Sequence, residues 1–276
     1  MKLKDVLNNI EYKVLSGSVE AEVSALTIDS RKAEKNTMYV AIKGFTVDGH
    51  KFIPSAVKSG ASAVLCEHAL EEYDENAAYI QVENPRKALG WCAKNFYGNP
   101  SGSMNIIGVT GTNGKTSTTY FLEEILKENN RKAGVIGTVE IRAAGERLNY
   151  KLATSTTPDT IELNTILCDM KNRGCTDVAM EVSSHGLQLY KVDGVEFNVG
   201  IFTNLTQDHL DLHGSMENYL KAKARLFKMC KVGVMNVDDS YFEKMKEAAD
   251  CDIITFGIKK DCDIKAVNIE YMMDRV

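Results

Sequence analysis

The sequence lacks the features that identify exported, membrane-spanning or zinc-binding proteins. Its seven cysteines include no C-x-x-C pair, which predicts reduced thiols in a cytoplasmic protein and argues against a disulfide framework or a zinc site. The longest apolar runs, such as Ala61–Cys66, are far shorter than the ~20 residues that a membrane-spanning helix needs. Residues 1–9 contain no apolar core of a signal peptide, so export is not expected.

The sequence also has no basic stripe of the kind that a general nucleic-acid binder carries. Its formal net charge is -5, and acidic and basic side chains are interspersed. With 44% hydrophobic and 26% charged residues, the composition is typical of a globular protein rather than a disordered one. A chain of 276 residues is long enough for two domains of about 100–150 residues each.

A loop-forming stretch divides the chain near residue 100. Residues 98–103 read Gly-Asn-Pro-Ser-Gly-Ser, a composition typical of a linker. Before it, short β-branched runs alternate with helical patterns, which predicts a small α/β domain over residues 1–98. After it, strand and helix patterns alternate along residues 104–276, which predicts a second α/β domain with a mainly parallel sheet. Right-handed crossovers would place the carboxyl ends of its strands, and a functional site, along one edge.

The predicted elements are as follows. In the first domain a helix is expected over residues 85–96, with Pro85 in its first turn. In the second domain strands are predicted at residues 105–110, 134–139, 177–182, 199–203, 232–236 and 253–256. Helices are predicted there at residues 115–129, 160–173 and 216–229.

The strongest local signal is a glycine-rich loop between a predicted strand and a predicted helix. Residues 108–116 read Gly-Val-Thr-Gly-Thr-Asn-Gly-Lys-Thr, which is typical of a phosphate-binding loop in this context. Glycines let backbone N–H groups surround a phosphate, and the helix N-terminus adds a positive dipole. Lys115 would contact the β- and γ-phosphates, and the Thr116 hydroxyl would bind Mg²⁺. Because Val109 occupies the position of the usual first glycine, a glycine-rich turn with a fortuitous Gly-Lys-Thr is the alternative.

Two further polar clusters follow predicted strands. Residues 180–186 read Met-Glu-Val-Ser-Ser-His-Gly, and a carboxylate, hydroxyls and an imidazole at a strand end suit a metal or oxyanion site. Residues 203–214 contain two aspartates and two histidines, which suit a metal or phosphate role. Each cluster is also compatible with ordinary turn and cap hydrogen bonding. The basic residues of the next predicted helix could be only its solvated face: Lys221, Lys223, Arg225 and Lys228.

Taken together and in this order, these motifs resemble those of the Mur ligase family. The family's phosphate loop, Thr-Gly-Thr-Asn-Gly-Lys-[Ser/Thr], is present as residues 110–116 and accounts for the displaced glycine. Further matches lie at residues 156–158, 181–185, 203–211 and 216–219, the last followed by Ala222 and Lys223. Residues 1–97 resemble the UDP-binding domain of the family's ligases that add the third amino acid to the peptidoglycan precursor, through the motifs at residues 29–31 and 44–50. The resemblance spans essentially the whole chain.

The resemblance implies a site for ATP and Mg²⁺. The residues implied to bind the ATP triphosphate are Gly111, Thr112, Asn113, Gly114, Lys115, Thr116 and Ser117. The residues implied to be catalytic are Lys115, Glu181, His209 and Lys223. Mg²⁺ is implied to be held by Thr116, Glu181, His209 and Lys223, the lysine acting as a carbamate formed with CO₂.

The resemblance also implies contacts to a UDP-linked muramoyl-dipeptide. The residues that match uridine contacts are Ser30, Phe45, Thr46 and Val47. Those that match contacts to the muramoyl-dipeptide are Thr156, Thr157 and Ser183. Lys191 stands where these ligases usually carry arginine; it keeps the charge but loses the bidentate geometry.

The activity implied by the resemblance is ATP-dependent amide-bond formation in peptidoglycan precursor synthesis, and hence a role in cell wall biogenesis, cell shape and cell division. ATP would convert the D-glutamate γ-carboxylate of UDP-N-acetylmuramoyl-L-alanyl-D-glutamate to an acyl phosphate. The amine of meso-diaminopimelate or L-lysine would then attack it. Family members are longer, three-domain proteins, so we expect this chain to end inside the central domain, to lack the C-terminal ligase domain, and to bind substrates with weak or no ligation.

Two alternatives remain at this stage. A folylpolyglutamate synthetase-like ligase shares the phosphate loop but has no comparable UDP-binding domain. A non-catalytic nucleotide-binding module would not need Lys115, Glu181, His209 and Lys223 together.

Overall fold

The computed structural model describes residues 1–150 and 156–270, and its division into two units does not follow sequence order. The first unit comprises Met1–Pro100, Asp159–Cys168 and Leu189–Val195. The second unit comprises Ser101–Pro158, Asp169–Gln188 and Glu196–Val276. Two short segments from beyond the linker therefore complete the first unit.

The first unit contains one five-stranded sheet. Its strands are β1 (Lys13–Ser16), β2 (Ala25–Thr27), β3 (Thr37–Val40), β4 (Ala61–Cys66) and β5 (Ala78–Gln81). Its helices before the linker are α1 (Leu3–Val6), α2 (Ile53–Lys58) and α3 (Pro85–Phe96). The strand order is β1-β5-β4-β3-β2, and all neighbours are parallel except β1 and β5. The predicted helix over residues 85–96 is confirmed, because Pro85 fits the first turn and the Asn84 side chain accepts the Lys87 N–H at 3.1 Å.

Helices pack on both faces of this sheet, and successive apolar side chains of its strands contact them in turn. Met38 of β3 and Leu65 of β4 pack with α1 and α3 in one apolar cluster. Tyr39 and Val64, their neighbours in sequence, pack with α2 in another cluster. Successive side chains of a strand point to opposite faces, so a strand buried on both faces reads as a continuous apolar run.

Within the first unit, α3 and the segment Leu189–Val195 approach so closely that only glycine fits on either side. A Cβ atom on Gly90 would overlap the carbonyl oxygen of Asp193. A Cβ atom on Gly194 would lie 2.5 Å from the carbonyl oxygen of Gly90. The backbone of residues 189–195 therefore packs directly against the backbone of α3.

We expect Gly90→Ala to lower the free energy of unfolding by about 2–3 kcal/mol, because backbone must move to admit the methyl group. Urea unfolding followed by circular dichroism measures this. Lys87→Ala, an exposed position on the same helix, is the control and should stay within about 0.5 kcal/mol of the parent. Equal stability of Gly90→Ala and the parent would show that the two segments do not approach this closely.

The second unit contains a nine-stranded sheet. Its strands are β6 (Asn105–Thr110), β7 (Ala133–Ile136), β8 (Ile141–Ala143), β9 (Glu146–Leu148), β10 (Asp177–Glu181), β11 (Phe197–Phe202), β12 (Cys230–Asn236), β13 (Asp252–Gly257) and β14 (Ile264–Lys265). The remaining helices are α4 (Lys115–Glu128), α5 (Thr160–Asn172), α6 (Ser184–Gln188), α7 (Leu210–His213), α8 (Met216–Ala224) and α9 (Phe242–Glu247). Residues 160–168 of α5 lie with the first unit. The order is β14-β13-β12-β11-β6-β10-β7-β8-β9.

The centre of this sheet is parallel and brings three predicted motifs to one edge. Glu181 at the end of β10 pairs in register with Val109 of β6, and Phe202 at the end of β11 pairs with Thr110. The glycine-rich loop, the 181–185 motif and the 203–211 motif therefore begin side by side. The predicted α/β class and mainly parallel sheet are confirmed. The hairpin β8–β9, antiparallel and three residues per strand, was not predicted. Across the described ranges, no helix combines the length and apolar character that a bilayer crossing requires.

Candidate active site

The glycine-rich loop lies between β6 and α4 and depends on two glycines. Gly111 has φ +154° and Gly114 has φ +86°, a range that favours glycine. A Cβ atom on Gly111 would also overlap the Thr203 hydroxyl. Because α4 is 14 residues long and starts at Lys115, its N-terminus places partial positive charge at the loop.

Residues that follow β11 hold this loop in place. The Asn204 carbonyl accepts the Thr112 N–H at 2.9 Å, and the Asn204 side-chain oxygen accepts the Asn113 N–H at 3.0 Å. The Thr203 hydroxyl donates to the Asn113 carbonyl at 2.7 Å. The conformation of the loop is thus fixed by the neighbouring strand end as well as by its own glycines.

Lys115 is partly buried and folded back onto the loop. Its ammonium donates to the carbonyl oxygens of Gly111 and Thr112, both at 2.9 Å. Burial lowers the pKa of Lys115, while the negative charges of Glu181 and Asp208 oppose that shift. Carbonyl partners orient the ammonium without neutralising it, so it remains available to an anion.

Glu181 is the buried carboxylate of the site, with 1% of its surface exposed. Its Oε1 accepts the Thr116 hydroxyl at 2.8 Å and the Thr138 N–H at 2.9 Å. Its Oε2 accepts the Thr138 hydroxyl at 3.1 Å. Gly137 permits this approach, because a Cβ atom there would lie 2.5 Å from Glu181 Oε1. Two of the predicted metal ligands, Thr116 and Glu181, are therefore in direct contact.

Thr138 is a site residue that the sequence reasoning missed. The predicted strand over residues 134–139 is wrong at its end, because β7 stops at Ile136 and the next two residues turn toward Glu181. The β-branched Thr138 and Val139 favour a longer strand. The preceding Gly137 was the available sign of a close backbone approach.

Lys223 lies in the site and not on a solvated face. It is 1% exposed, whereas 65% of the Lys221 side chain is exposed. Its Nζ donates to the Gly111 carbonyl at 2.8 Å and lies 4.6 Å from the centre of the Tyr219 ring. Burial lowers the pKa of Lys223 to about 7, with the positive charge of Lys115 acting in the same direction.

The predicted dipeptide-binding residues gather beside Glu181. The Thr138 and Thr156 hydroxyls are hydrogen-bonded to each other, with their oxygens 3.0 Å apart. The Thr157 hydroxyl donates to the Glu181 carbonyl at 3.1 Å and accepts the Ser183 N–H at 2.9 Å. Thr156 is thus linked to the Glu181 carboxylate through Thr138, and Thr157 and Ser183 lie at the Glu181 backbone.

The two histidines of the 203–214 motif have different environments. His209 exposes 63% of its side chain and has φ +50°, an uncommon conformation for a residue with a side chain. His213 is buried, with Nε2 at 2.9 Å from the Ser184 hydroxyl and its ring 4.8 Å from that of Tyr219. Burial lowers the pKa of His213, which favours the neutral ring. Sequence reasoning named His209 as a metal ligand and included His213 only as a member of the 203–214 cluster.

The donor set at Glu181 suits a hard cation. Its carboxylate and the hydroxyls of Thr116 and Thr138 are oxygen ligands of the type that Mg²⁺ prefers. Within residues 1–150 and 156–270, however, no three His, Cys, Asp or Glu side chains form a metal-binding group. His209 is not part of such a group here. The oxygens present fit Mg²⁺ held jointly by the protein and the phosphates of a nucleotide.

The predicted uridine-contact residues lie in the first unit. Ser30 is buried in a single 3₁₀ turn after β2. Phe45 and Val47 are 81% and 51% exposed, in a loop closed by a hydrogen bond from the Gly44 N–H to the Val47 carbonyl at 2.9 Å. Thr46, between them, is also exposed. The exposed apolar surface of this loop could pack against the flat face of a base.

Two family models match this chain. The model described as the Mur ligase middle domain matches residues 109–276. The model described as the Mur ligase family, catalytic domain, matches residues 22–97.

Similar proteins and structures agree with these matches. A UDP-N-acetylmuramoyl-L-alanyl-D-glutamate--2,6-diaminopimelate ligase from Clostridium tetani is 44% identical over 271 residues, which is 98% of this chain and 55% of that protein. One of the same name from Caldanaerobacter subterraneus subsp. tengcongensis is 41% identical over 100% of this chain and 56% of its own length. A solved structure of such a ligase superimposes with a TM-score of 0.80 and 26% identity, over 98% of this chain and 55% of that one. This chain thus spans about half the length of the relatives it matches.

Proposed function

Because the chain belongs to the Mur ligase family, we propose that it forms the UDP-substrate-binding and ATP-binding parts of an ATP-dependent ligase. The ligase would add diaminopimelate to UDP-N-acetylmuramoyl-L-alanyl-D-glutamate in peptidoglycan precursor synthesis. The observation that carries the proposal is the convergence of Lys115 and Lys223 on the Gly111 carbonyl, in a loop whose helix begins beside the Glu181 carboxylate. The names of the similar ligases support diaminopimelate as the added amino acid.

The loop residues would bind the ATP triphosphate. Backbone N–H groups and the N-terminus of α4 would face the phosphates, and Lys115 would exchange its carbonyl partners for phosphate oxygens. Thr116 and Glu181 would hold Mg²⁺. When bound, Mg²⁺ supplies positive charge that offsets the charge of the phosphates.

The proposed reaction brings two anions together. The D-glutamate γ-carboxylate of the substrate would attack the γ-phosphorus of ATP, giving an acyl phosphate and ADP. Lys115 and the dipole of α4 would reduce the repulsion between carboxylate and phosphate. Thr156, Thr157 and Ser183 lie beside Glu181 and would position the dipeptide for this step. The amine of diaminopimelate would then displace phosphate.

Calorimetric titration of the chain with UDP-N-acetylmuramoyl-L-alanyl-D-glutamate tests this proposal. We expect saturable binding of this compound, and weaker binding of the same compound lacking D-glutamate. A folate substrate with ATP–Mg²⁺ is the comparison ligand and should not bind. If the folate substrate bound and the UDP-linked compound did not, a folylpolyglutamate synthetase-like protein would be favoured. If ATP bound and neither substrate did, a non-catalytic nucleotide-binding module would be favoured.

We expect Thr138→Val to weaken the Mg²⁺-dependent part of ATP binding roughly tenfold, because Glu181 loses a hydrogen bond to its carboxylate. Thr138→Ser keeps the hydroxyl and should bind like the parent. Titrations with ATP in the presence of MgCl₂ and of EDTA separate the two contributions. If Thr138→Val and the parent had the same affinity under both conditions, Thr138 would have no part in holding Glu181 for the metal.

A further inference from the structure

Arg86 is a cation in an unfavourable place within the first unit. It occupies the second position of α3, where the positive end of the helix dipole disfavours a cation. The side chain is partly buried, and burial lowers the pKa of its guanidinium. A guanidinium has five N–H donors, yet its hydrogen bond among the described residues is a single one to the Lys43 carbonyl at 3.3 Å.

The carboxylate that acts on the charge of Arg86 is that of Asp159, and it is already paired with another cation. Asp159 Oδ1 lies 2.7 Å from Lys191 Nζ, and the Lys191 side chain is only 9% exposed. The charge of Asp159 raises the pKa of Arg86, but across residues 1–150 and 156–270 no carboxylate oxygen lies within 4.0 Å of the Arg86 nitrogens. Asp159 thus pairs directly with Lys191 and acts on Arg86 only from beyond ion-pair distance.

The Arg86 guanidinium adjoins the loop that we assign to the uridine nucleotide. Lys43, whose carbonyl Arg86 contacts, directly precedes the loop of residues 44–47. That loop exposes Phe45 and Val47. Arg86 and the loop belong to the first unit, and the hydrogen bond to the Lys43 carbonyl places the guanidinium next to the start of the loop.

We propose that Arg86 binds an oxyanion of the UDP-linked substrate. The shared chemistry of the candidates is a pair of anionic oxygens, supplied by the diphosphate or by a carboxylate of the muramoyl-dipeptide. A guanidinium can bind either group through two parallel hydrogen bonds. The inference rests on the proposed function, because that function supplies the ligand. It adds a residue that no motif of the sequence indicated.

The alternative is that Arg86 serves only the fold, by bonding to the Lys43 carbonyl. That role predicts reduced stability on substitution and an unchanged preference among ligands. A ligand-binding role predicts little change in stability and a changed preference among ligands. The ratio of affinities for charged and neutral uridine compounds separates the two, because a general weakening of the fold affects both compounds alike.

The test is calorimetry on the whole chain with uridine, UDP and UDP-N-acetylmuramoyl-L-alanyl-D-glutamate. We expect Arg86→Gln to weaken binding of the charged compounds roughly 10- to 100-fold, the range for loss of hydrogen bonds between charged groups, and to leave uridine unchanged. Arg86→Lys, which keeps the charge without the bidentate geometry, should show an intermediate loss, and it replaces Arg86→Gln if that variant does not fold. Lys87→Gln removes an exposed charge from the same helix and should bind like the parent.

The ligands also identify the anion. Weaker binding of UDP assigns the diphosphate as the partner of Arg86, and an effect confined to the muramoyl-dipeptide compound assigns a peptide carboxylate. Parent-like affinity of both Arg86 variants for both charged compounds would overturn the inference and leave the proposed function intact. If the parent bound none of the three compounds, the proposed function and the inference would both fail.

Discussion

Lys115→Met should lower the affinity for ATP–Mg²⁺ roughly 10- to 100-fold, which corresponds to the loss of about 1.5–3 kcal/mol from hydrogen bonds between charged groups. The Lys115 ammonium lies 2.9 Å from two loop carbonyls, so its charge is directed into the loop. Methionine has nearly the same length and keeps the packing of the side chain, but it offers no donor to phosphate.

The same substitution should change the stability of the fold little. The lowered pKa of Lys115 shows that its charged form is penalised by burial, and removal of that charge offsets the loss of two hydrogen bonds to carbonyls. Calorimetry gives the affinity, and thermal unfolding without ligand gives the stability. Lys127→Met, at the exposed end of the same helix, is the control. Equal affinity of Lys115→Met and the parent would exclude Lys115 from the nucleotide site.

Lys223 should react with CO₂ to form a carbamate, the second large effect that we expect. Capture of CO₂ requires a neutral amine, and the pKa of Lys223, lowered to about 7 by burial and by Lys115, provides one near neutral pH. The carbamate is an anion. The Lys115 charge that disfavours the ammonium would therefore stabilise the product, and the carbamate oxygens would be suitable ligands for Mg²⁺.

Carbon NMR of the chain under ¹³C-labelled CO₂ measures this directly, without a need for ligase activity. Lys223→Met should lose the carbamate signal, and Lys221→Met, an exposed neighbour on the same helix, should keep it. With a pKa of about 7, the amine is about nine-tenths neutral one unit above that pH and about one-tenth neutral one unit below it. At constant CO₂ pressure the signal should rise accordingly. An identical signal in Lys223→Met would assign the carbamate to another amine.

Ligase activity gives a second measurement. The protein assayed would be a full-length ligase that contains this chain together with the part of the similar ligases that this chain does not cover. Lys223→Ala should lose most of the activity, and acetate or formate should restore part of it by supplying a carboxylate where the carbamate stood. Unchanged activity of Lys223→Ala without added acid would show that the metal is held without this residue.

Stability should also depend on pH through Lys223. Its folded pKa of about 7 lies below the ordinary value, so between these two values the unfolded state binds more protons. Stability then rises with pH through this window, and below pH 7 the full penalty of the buried ammonium applies. The difference in unfolding free energy between Lys223→Met and the parent should therefore be larger at pH 6 than at pH 9.

The parts of the fold with local signals were predictable from sequence. Asn84 and Pro85 define the start of α3, and the loop before Lys115 defines the start of α4. The end of β7 was predicted wrongly, because the high strand propensity of Thr138 and Val139 outweighed the sign given by Gly137, and the turn toward Glu181 is decided by a contact 43 residues away. The association of residues 189–195 with α3 had no local signal either, since it rests on backbone contact between Gly90 and Asp193.

The candidate site was predictable where a motif imposes a conformation. Gly111 and Gly114 have the positive φ angles that a phosphate-binding loop requires. The burial of Lys223 could not be read from helix periodicity, because four basic residues lie on that helix and its immediate continuation and only contacts with the loop distinguish one of them. Arg86 belongs to no motif, and His213 was only one member of the 203–214 cluster, so their positions became informative only when their partners were known.

The first unit is formed from segments that lie far apart in the chain, and this affects how it folds during synthesis. Its sheet and first three helices are complete by residue 100, but Leu189–Val195 emerges from the ribosome only after the loop, β10 and much of the second sheet have been synthesised. During that interval α3 lacks its backbone contact at Gly90. Contacts so distant in sequence form late, so the first unit reaches its final packing only after the nucleotide loop has been translated. A released chain that ends before residue 189 should therefore be cleaved by protease within residues 1–100 more readily than one that extends well beyond residue 195.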